Sequence, residues 1–97
     1  MKDLHLNIKK KYFDEIKNGI KTEEYRKVCP FWDKRLKDKK FDRVLIKLGY
    51  PKNNDKDRIL CFKFTGIKNK VLIHEEFGFI PTEVCAIDLS IKEEYGE

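Results

Sequence analysis

The sequence predicts a small α+β domain that is mainly β, with about six short strands and one or two short helices near the N-terminus. Short stretches of alternating apolar and polar residues recur along the chain, whereas a helical spacing of apolar residues occurs only near its beginning. Ninety-seven residues suffice for one modest core, so a single domain is predicted over residues 1–97, with residues 92–97 as a loose tail. Short strands at this spacing favour a small, closed or partly open barrel, which hides its sheet edges.

The first elements are predicted to be a strand, a helix and a second strand. Residues 4–8 alternate apolar and polar side chains, as a half-buried strand does. The next helix ends at Gly19, because glycine readily adopts the left-handed conformation just past a helix end. A strand over residues 22–28 places Glu24 and Arg26 on one face and Tyr25 on the other. The apolar face of the helix consists of Tyr12, Phe13, Ile16 and Ile20.

The rest of the chain is predicted to hold one short helix and four more strands. Pro30 suits the first position of a helix over residues 31–36, and Phe31 and Trp32 are expected to pack into the core. The strands are predicted over residues 43–48, 59–67, 71–74 and 85–91, with a turn-rich loop at 49–57 and a tight turn at 68–70.

Composition narrows the class of protein. No apolar run approaches the length of a membrane span, and the N-terminus lacks the apolar run of a secretory signal. The three cysteines are widely spaced and form no Cys-x-x-Cys pair, so neither a disulfide framework nor a zinc site is indicated. The sequence therefore predicts a cytoplasmic protein that contacts no membrane and needs no metal or cofactor.

The charge is unevenly distributed along the chain. The net charge is +5, but residues 1–58 hold 18 basic and 10 acidic residues, while residues 59–97 hold 4 and 7. A basic half beside an acidic half is typical of a protein with one positive face, which attracts polyanions such as RNA. A solvated lysine-rich surface explains the same composition, so charge alone leaves both interpretations open.

The junction between the first helix and the second strand concentrates opposite charges. Lys21 follows the glycine turn, where the backbone can approach a ligand closely. Arg26 offers a planar fork for phosphate or for the acceptor edge of a base, and Glu24 could accept a hydrogen bond from a base amine. Tyr25 and Tyr50 could stack on a base, and so could Phe31 and Trp32, for which packing in the core is the favoured interpretation. The alternative is a ladder of surface salt bridges along an exposed strand.

Other candidate chemistry is weaker. His74 is followed by two glutamates but by no second histidine, so a zinc motif of the His-Glu-x-x-His type is absent from the sequence. Cys29 lies between basic residues, yet a partly buried, unreactive thiol is the simpler interpretation.

The pattern of a strand followed by Tyr12-Phe13-Asp14-x-Ile16-x-x-Gly19-x-Lys21-Thr22-x-Glu24-x-Arg26 resembles the ASCH domain family, and in particular its small stand-alone bacterial and phage members. The likeness continues through Pro30-Phe31-Trp32, Arg35-Leu36, Gly49-Tyr50 and Val84-Cys85-Ala86-Ile87-Asp88-Leu89. The resemblance implies a PUA-like β-barrel with a cleft lined by Lys21, Glu24 and Arg26. Such domains are thought to bind RNA or modified nucleotides.

The resemblance also implies two enzymatic alternatives. One branch of the family hydrolyses the amide of N4-acetylcytidine, and another member is reported as a ribonuclease. In the amidohydrolase branch a lysine, a threonine three positions later and a downstream glutamate form the reactive set. The lysine matches Lys21, whereas Glu24 occupies the threonine position and Thr22 is out of place. Either Glu75 or Glu76 could be the downstream acid.

Three hypotheses follow for the function. The first is an RNA- or nucleotide-binding domain, monomeric, in which Lys21, Glu24, Arg26, Tyr25 and Tyr50 contact the ligand. The second is a small hydrolase acting on an N4-acylcytidine-like nucleoside or on RNA, with Lys21 and Glu24 as its catalytic residues. The third is a protein-interaction domain that carries out no catalysis.

Overall fold

A computed structural model describes residues 2–96 and shows an α+β fold that is mainly β, which confirms the predicted class. Its described elements are seven strands, two α-helices and two single turns of 3₁₀-helix at Lys56–Arg58 and Glu75–Phe77. The elements are β1 (Asp3–Ile8), α1 (Lys10–Lys17), β2 (Glu23–Lys27), α2 (Pro30–Leu36), β3 (Arg43–Leu48), β4 (Ile59–Lys63), β5 (Ile67–Leu72), β6 (Thr82–Asp88) and β7 (Lys92–Glu93).

The strands form two sheets. Sheet A has the order β1-β3-β4-β7 and sheet B the order β2-β6-β5. All the pairs are antiparallel except β1 with β3, which run parallel with Leu6 opposite Ile46. Between residues 2 and 96 no ladder joins the two sheets into one closed barrel, so the predicted closure stays a prediction.

The core lies between the inner faces of the sheets and is covered by the helices. Alternate residues of β1, β3, β4 and β6 supply buried aliphatic side chains, such as Leu6, Ile46 and Ile87. Helix α1 adds the apolar face predicted for it, with Tyr12, Phe13 and Ile16 buried. Ile20 is different, because the helix ends at Lys17 and leaves this side chain 75% exposed.

The turn predicted at residues 68–70 is wrong. Those residues lie inside β5, and the break between β4 and β5 instead falls at residues 64–66, where Gly66 has a φ of 137° that disfavours any residue with a side chain. Strand β5 is an edge of sheet B, and its polar residues are exposed. Lysines on an edge strand discourage pairing with another chain, so a polar stretch here is compatible with a strand.

Part of the predicted loose tail is ordered against sheet A. Strand β7 pairs with Cys61 and Phe62 of β4. Tyr95 packs on a small cluster formed by Leu45, Ile59 and Cys61, and its hydroxyl donates to the backbone oxygen of Asn53 at 2.8 Å. Within the described residues, no helix is long and apolar enough to cross a membrane.

Candidate functional site

The turn between α1 and β2 positions the first residue of the site. Gly19 adopts a φ of 76°, as the sequence predicts for the end of the helix. The backbone N–H groups of Ile20 and Lys21 both donate to the oxygen of Glu15, at 2.9 and 3.1 Å. The N–H of Leu89 donates to the oxygen of Thr22 at 2.9 Å, which ties the turn to the end of β6. These bonds direct the Lys21 side chain inward, although strict strand alternation places it out of phase.

Glu24 is the centre of the site. It lies on β2 opposite Ile87 and is only 2% exposed, so its carboxylate is removed from water. Arg26 shares its strand face, as predicted, and its Nη2 lies 3.0 Å from Glu24 Oε2. Lys21 Nζ lies 3.4 Å from Oε1, close enough for an ion pair but without hydrogen-bond alignment. The predicted alternative of an exposed salt-bridge ladder does not describe this cluster.

Aromatic rings enclose both cations. The Lys21 ammonium lies 4.8 Å from the ring centre of Tyr12 and 4.6 Å from that of Tyr25. The Arg26 guanidinium lies 4.8 Å from the ring centre of Trp32, and its Nη2 donates to the backbone oxygen of Asn7 at 3.3 Å. Cation–π contacts strengthen when they are shielded from water, so the rings hold both cations in place.

Three buried polar atoms of this cluster have no hydrogen-bond partner among residues 2–96. They are Lys21 Nζ, Glu24 Oε1 and Arg26 Nε. Buried polar groups in native proteins are nearly always paired, and each unpaired one costs about 1–3 kcal/mol. Two donors and one acceptor held in this way could be satisfied by a polar ligand.

Burial controls the protonation of Glu24. Loss of contact with water raises the pKa of its carboxyl group, while the nearby Arg26 and Lys21 oppose that rise, and Glu76 adds to it. Burial also raises the pKa of the Tyr25 hydroxyl, which donates to Glu23 Oε1 at 3.1 Å. The Glu24 carboxyl is therefore protonated up to a higher pH than the carboxyl of an exposed glutamate.

A cleft of about 310 Å³ opens beside the cluster. Glu24 and Arg26 lie in its wall, whereas Lys21 lies behind Glu24, outside the lining. Tyr50 is 93% exposed at the rim, as a ligand-facing loop tip should be, and the side-chain amide of Asn7 donates to the backbone oxygen of Gly49. The residues that line the cleft are Asn7, Ile8, Lys9, Tyr12, Glu24, Arg26, Gly49, Tyr50 and Glu76.

The structure separates the two acidic residues that the sequence left as alternatives. Glu76 reaches the cleft, whereas Glu75 forms an ion pair with Lys11 on α1. His74 holds this segment, because its Nδ1 accepts from the N–H of Glu76 at 3.0 Å. The centre of its ring also lies 5.8 Å from the centre of the Tyr25 ring, one of the two rings that surround the Lys21 ammonium.

Sequence analysis missed four contributors to the cleft. Asn7, Ile8 and Lys9 precede α1 and gave no signal beyond the end of a strand. Tyr12 was assigned to the core from its helical spacing, which cannot show that its ring also contacts the Lys21 ammonium. A tyrosine in place of an aliphatic residue on a buried helix face was the only available hint, since a phenol usually needs a polar neighbour.

Larger cavities lie elsewhere but are weaker candidates. One of about 550 Å³ is lined in part by Glu76, and two of about 410 Å³ lie between α2 and β5 and beside Glu23 and Asp88, respectively. None of the three is lined by Lys21, Glu24 or Arg26, so the smaller cleft is the one that contacts the buried charges. The described residues contain no group of three or more His, Cys, Asp or Glu that could hold a metal ion.

Comparison of the chain with protein-family models, with curated proteins and with solved structures gives no match. The candidate site therefore rests on the geometry of the Lys21, Glu24 and Arg26 cluster and of the cleft beside it.

Proposed function

We propose that the chain is an ASCH-like domain that binds a nucleotide or single-stranded RNA in the cleft beside Glu24. The observation that carries this proposal is the buried cluster of Lys21, Glu24 and Arg26. Its two members that line the concave surface, Glu24 and Arg26, leave Glu24 Oε1 and Arg26 Nε without a hydrogen-bond partner among residues 2–96. A nucleobase edge offers donors and acceptors side by side, and its flat face can stack on an aromatic ring.

Each residue has a defined role in this proposal. Glu24 Oε1 accepts a hydrogen bond from an exocyclic amine of the base, because Lys21 Nζ lies 3.4 Å from this oxygen without donating a hydrogen bond to it. Arg26 donates to a ring or carbonyl acceptor, and Lys21 holds the Glu24 carboxyl in position from behind. Tyr50 at the rim covers the base, and Lys9 in the cleft wall is placed to meet a phosphate.

The desolvated position of Glu24 gives the proposed site its selectivity. Because water is largely excluded from the carboxyl, a ligand that lacks the matching donor would leave a buried acceptor unpaired. Ligands with an exocyclic amine are therefore expected to bind more tightly than those with a carbonyl in its place.

Calorimetry with a panel of nucleosides, nucleotides and short RNAs tests the proposal. Glu24→Gln is expected to weaken binding by roughly 10- to 150-fold, since a hydrogen bond to a charged group contributes about 1.5–3 kcal/mol. Glu23→Gln is the matched control, because Glu23 is the neighbouring glutamate of β2 but pairs with Lys70 away from the cleft. It should bind as the wild type does. Absence of binding to every member of the panel at low salt would falsify the proposal.

The PUA-like barrel belongs to the same proposal. It is supported by the ASCH-like pattern of the sequence and by the hydrogen bond from Arg26 to the backbone of Asn7, which links β2 of sheet B to β1 of sheet A. Backbone hydrogen bonds between the edges of the two sheets, measured by NMR, would establish closure. Independent protection of the two sheets with no such bond would contradict it.

A second candidate function is hydrolysis of an N4-acylated cytidine. It is favoured by the position of Glu76, which lies in the same cleft as Glu24, in a protein whose Lys21 matches the reactive lysine of that branch although Glu24 occupies its threonine position. Glu76 would take the proton of the attacking water, and the Glu24 carboxyl, whose pKa burial raises, would protonate the departing amine.

Turnover of N4-acetylcytidine to cytidine and acetate, followed by chromatography, tests this candidate. Glu76→Gln should lower turnover at least 100-fold, since general acid–base catalysis contributes about 10²–10⁴-fold. Glu75→Gln is the matched control because Glu75 pairs with Lys11. Turnover that is equal in both variants would remove Glu76 from the reaction, and no turnover by the wild type would remove the candidate.

A further inference from the structure

Helix α2 carries an unusual array of planar side chains on the protein surface. The Arg35 guanidinium lies 3.8 Å from the ring centre of Phe31, and that ring meets Trp32 edge to face with the centres 5.1 Å apart. Arg26 lies against the other ring, 4.8 Å from the centre of Trp32. The array therefore runs without a break from an exposed arginine to the arginine that contacts Glu24.

Exposure sets this array apart from ordinary core packing. The sequence predicts that Phe31 and Trp32 belong to the core, and Trp32 does pack against it, but Phe31 is wrongly assigned because it is 54% exposed. The Phe31 ring is therefore partly open to solvent while it is held in place by Arg35 and Trp32.

Positive charges outnumber negative charges around the array. Residues 33–40 contain five basic residues and two acidic ones, and all five basic side chains are exposed. Within the described part of the chain, none of them forms an ion pair with a carboxylate. The basic residues are Lys34, Arg35, Lys37, Lys39 and Lys40. Their charges are therefore free to meet a polyanion.

We propose that α2 is a second subsite for single-stranded RNA, over which the strand continues after its nucleotide in the cleft. In this arrangement Phe31 stacks on an unpaired base, while Lys34 and Arg35 contact the phosphates on either side. An exposed ring beside unpaired cations matches the alternation of flat bases and charged phosphates along a single strand. The inference rests on the proposed nucleotide-binding function of the cleft, and it identifies the ligand as an oligonucleotide rather than a free nucleoside.

A single strand fits these observations better than a duplex does. In a helical duplex the faces of the bases are already stacked on one another, so only the phosphates could meet α2 and Phe31 would have no partner. An acidic protein or an anionic membrane could also be attracted by the five cations, and the experiment below includes both as competing outcomes.

Fluorescence anisotropy with labelled RNAs of increasing length, from a mononucleotide upward, tests the inference. Phe31→Ala should weaken the binding of the longer strands by roughly 5- to 150-fold and leave mononucleotide binding unchanged, since stacking on one base accounts for that range. Phe31→Tyr retains an aromatic ring and should bind as the wild type does. Circular dichroism melts check that each variant folds.

The charges are tested by the salt dependence of binding. The double variant Lys34→Gln/Arg35→Gln should reduce the slope of log K against log salt by about 1.4, because each phosphate contact on a single strand contributes about 0.7. Lys56→Gln/Lys92→Gln is the matched control, since it removes two exposed, unpaired cations near β4 and in β7. An equal change in slope for both double variants would overturn the inference, because it would report net charge alone.

The remaining outcomes are decisive as well. Binding that does not increase with strand length, or a duplex that binds as well as a single strand, would overturn the α2 subsite. The protein could instead bind phosphatidylserine vesicles or polyglutamate more strongly than RNA, and lose that binding in Phe31→Ala. This result would overturn the RNA subsite and indicate a membrane or an acidic protein as the partner. In each of these cases, mononucleotide binding that is lost in Glu24→Gln would still support the proposed function of the cleft. Binding that increases with strand length but is unaffected by Glu24→Gln would support the α2 subsite and contradict the proposed function of the cleft.

Discussion

Removing the Glu24 carboxylate should destabilise the fold far more than removing an exposed carboxylate. Glu24 Oε2 lies 3.0 Å from Arg26 and Oε1 lies 3.4 Å from Lys21, and the carboxyl is 2% exposed. At an effective dielectric constant of about 20, each contact supplies about 5 kcal/mol of Coulombic attraction, which the loss of hydration of the three charges largely offsets. Glu24→Leu leaves an apolar side chain at this position and removes both attractions, while Lys21 and Arg26 keep their loss of hydration.

The expected cost of Glu24→Leu is about 3–5 kcal/mol, because the buried Lys21 and the partly buried Arg26 then have no counter-ion. For a domain of this size, that lowers the melting temperature by about 12 °C or more. The triple variant Lys21→Met/Glu24→Leu/Arg26→Met removes all three charges together. It should be at least as stable as the wild type, since an apolar replacement of a buried ion cluster is often neutral or favourable.

Urea unfolding followed by far-ultraviolet circular dichroism measures these free energies. Asp14→Ala is the control for loss of a carboxylate, because Asp14 forms an exposed pair with Lys10 and should cost less than about 0.5 kcal/mol. A Glu24→Leu variant as stable as the wild type, or a triple variant less stable than the single one, would refute the reasoning. A stable triple variant that no longer binds nucleotide would show that the cluster is kept for binding at the expense of stability.

Three further predictions concern pH and the backbone. Burial raises the pKa of Glu24 in the folded chain above its ordinary value of 4.5. At a pH just above 4.5 the folded chain therefore keeps the Glu24 proton, whereas the unfolded chain has released it. The wild type should therefore lose stability relative to Glu24→Gln as the pH rises through this window, and a gain would show that the two cations outweigh burial. Arg43 donates two hydrogen bonds to Asp3, at 2.9 and 2.8 Å, and lowers the pKa of that carboxyl below its ordinary 3.8. Asp3→Asn should cost about 1.5–3 kcal/mol near neutral pH, and the difference from the wild type should disappear as the pH falls below 3.8; a difference that persists in acid would contradict this ion pair. Gly19→Ala should cost about 1–2 kcal/mol in urea unfolding, because Gly19 has a φ of 76° with open space around it, so only backbone strain is added; an unchanged midpoint would contradict that assignment.

Much of the fold could be predicted because it depends on neighbours along the chain. The end of α1 shortly before Gly19 and the shared face of Glu24 and Arg26 follow from helix-capping and strand periodicity. The sequence failed in two places where tertiary contacts outweigh local pattern. The polar residues 68–70 form part of an edge strand because β6 pairs with them, and Tyr95 is ordered because it covers a small apolar cluster on sheet A.

The candidate site, too, could be predicted only in part from the sequence. Residue types and spacing placed Lys21, Glu24 and Arg26 at one junction, and the turn before them explained why a lysine could approach a ligand there. Only the tertiary structure shows that Glu24 is buried, that Lys21 lies behind it rather than in the cleft wall, and that Glu76 rather than Glu75 reaches the cleft.

By itself, then, the sequence determined a mainly β α+β class, the helix-turn-strand junction and the set of charges that the junction carries. The tertiary structure decided which of those charges are buried and which surface continues from them over α2. The physical reason is that periodicity reports how one element presents its side chains, whereas burial and electrostatics depend on residues that are distant in the chain. Only the packing of strands, helices and the 3₁₀ turn against one another brings residues from four separate elements to the Glu24 cluster: Asn7, Tyr12, Trp32 and Glu76.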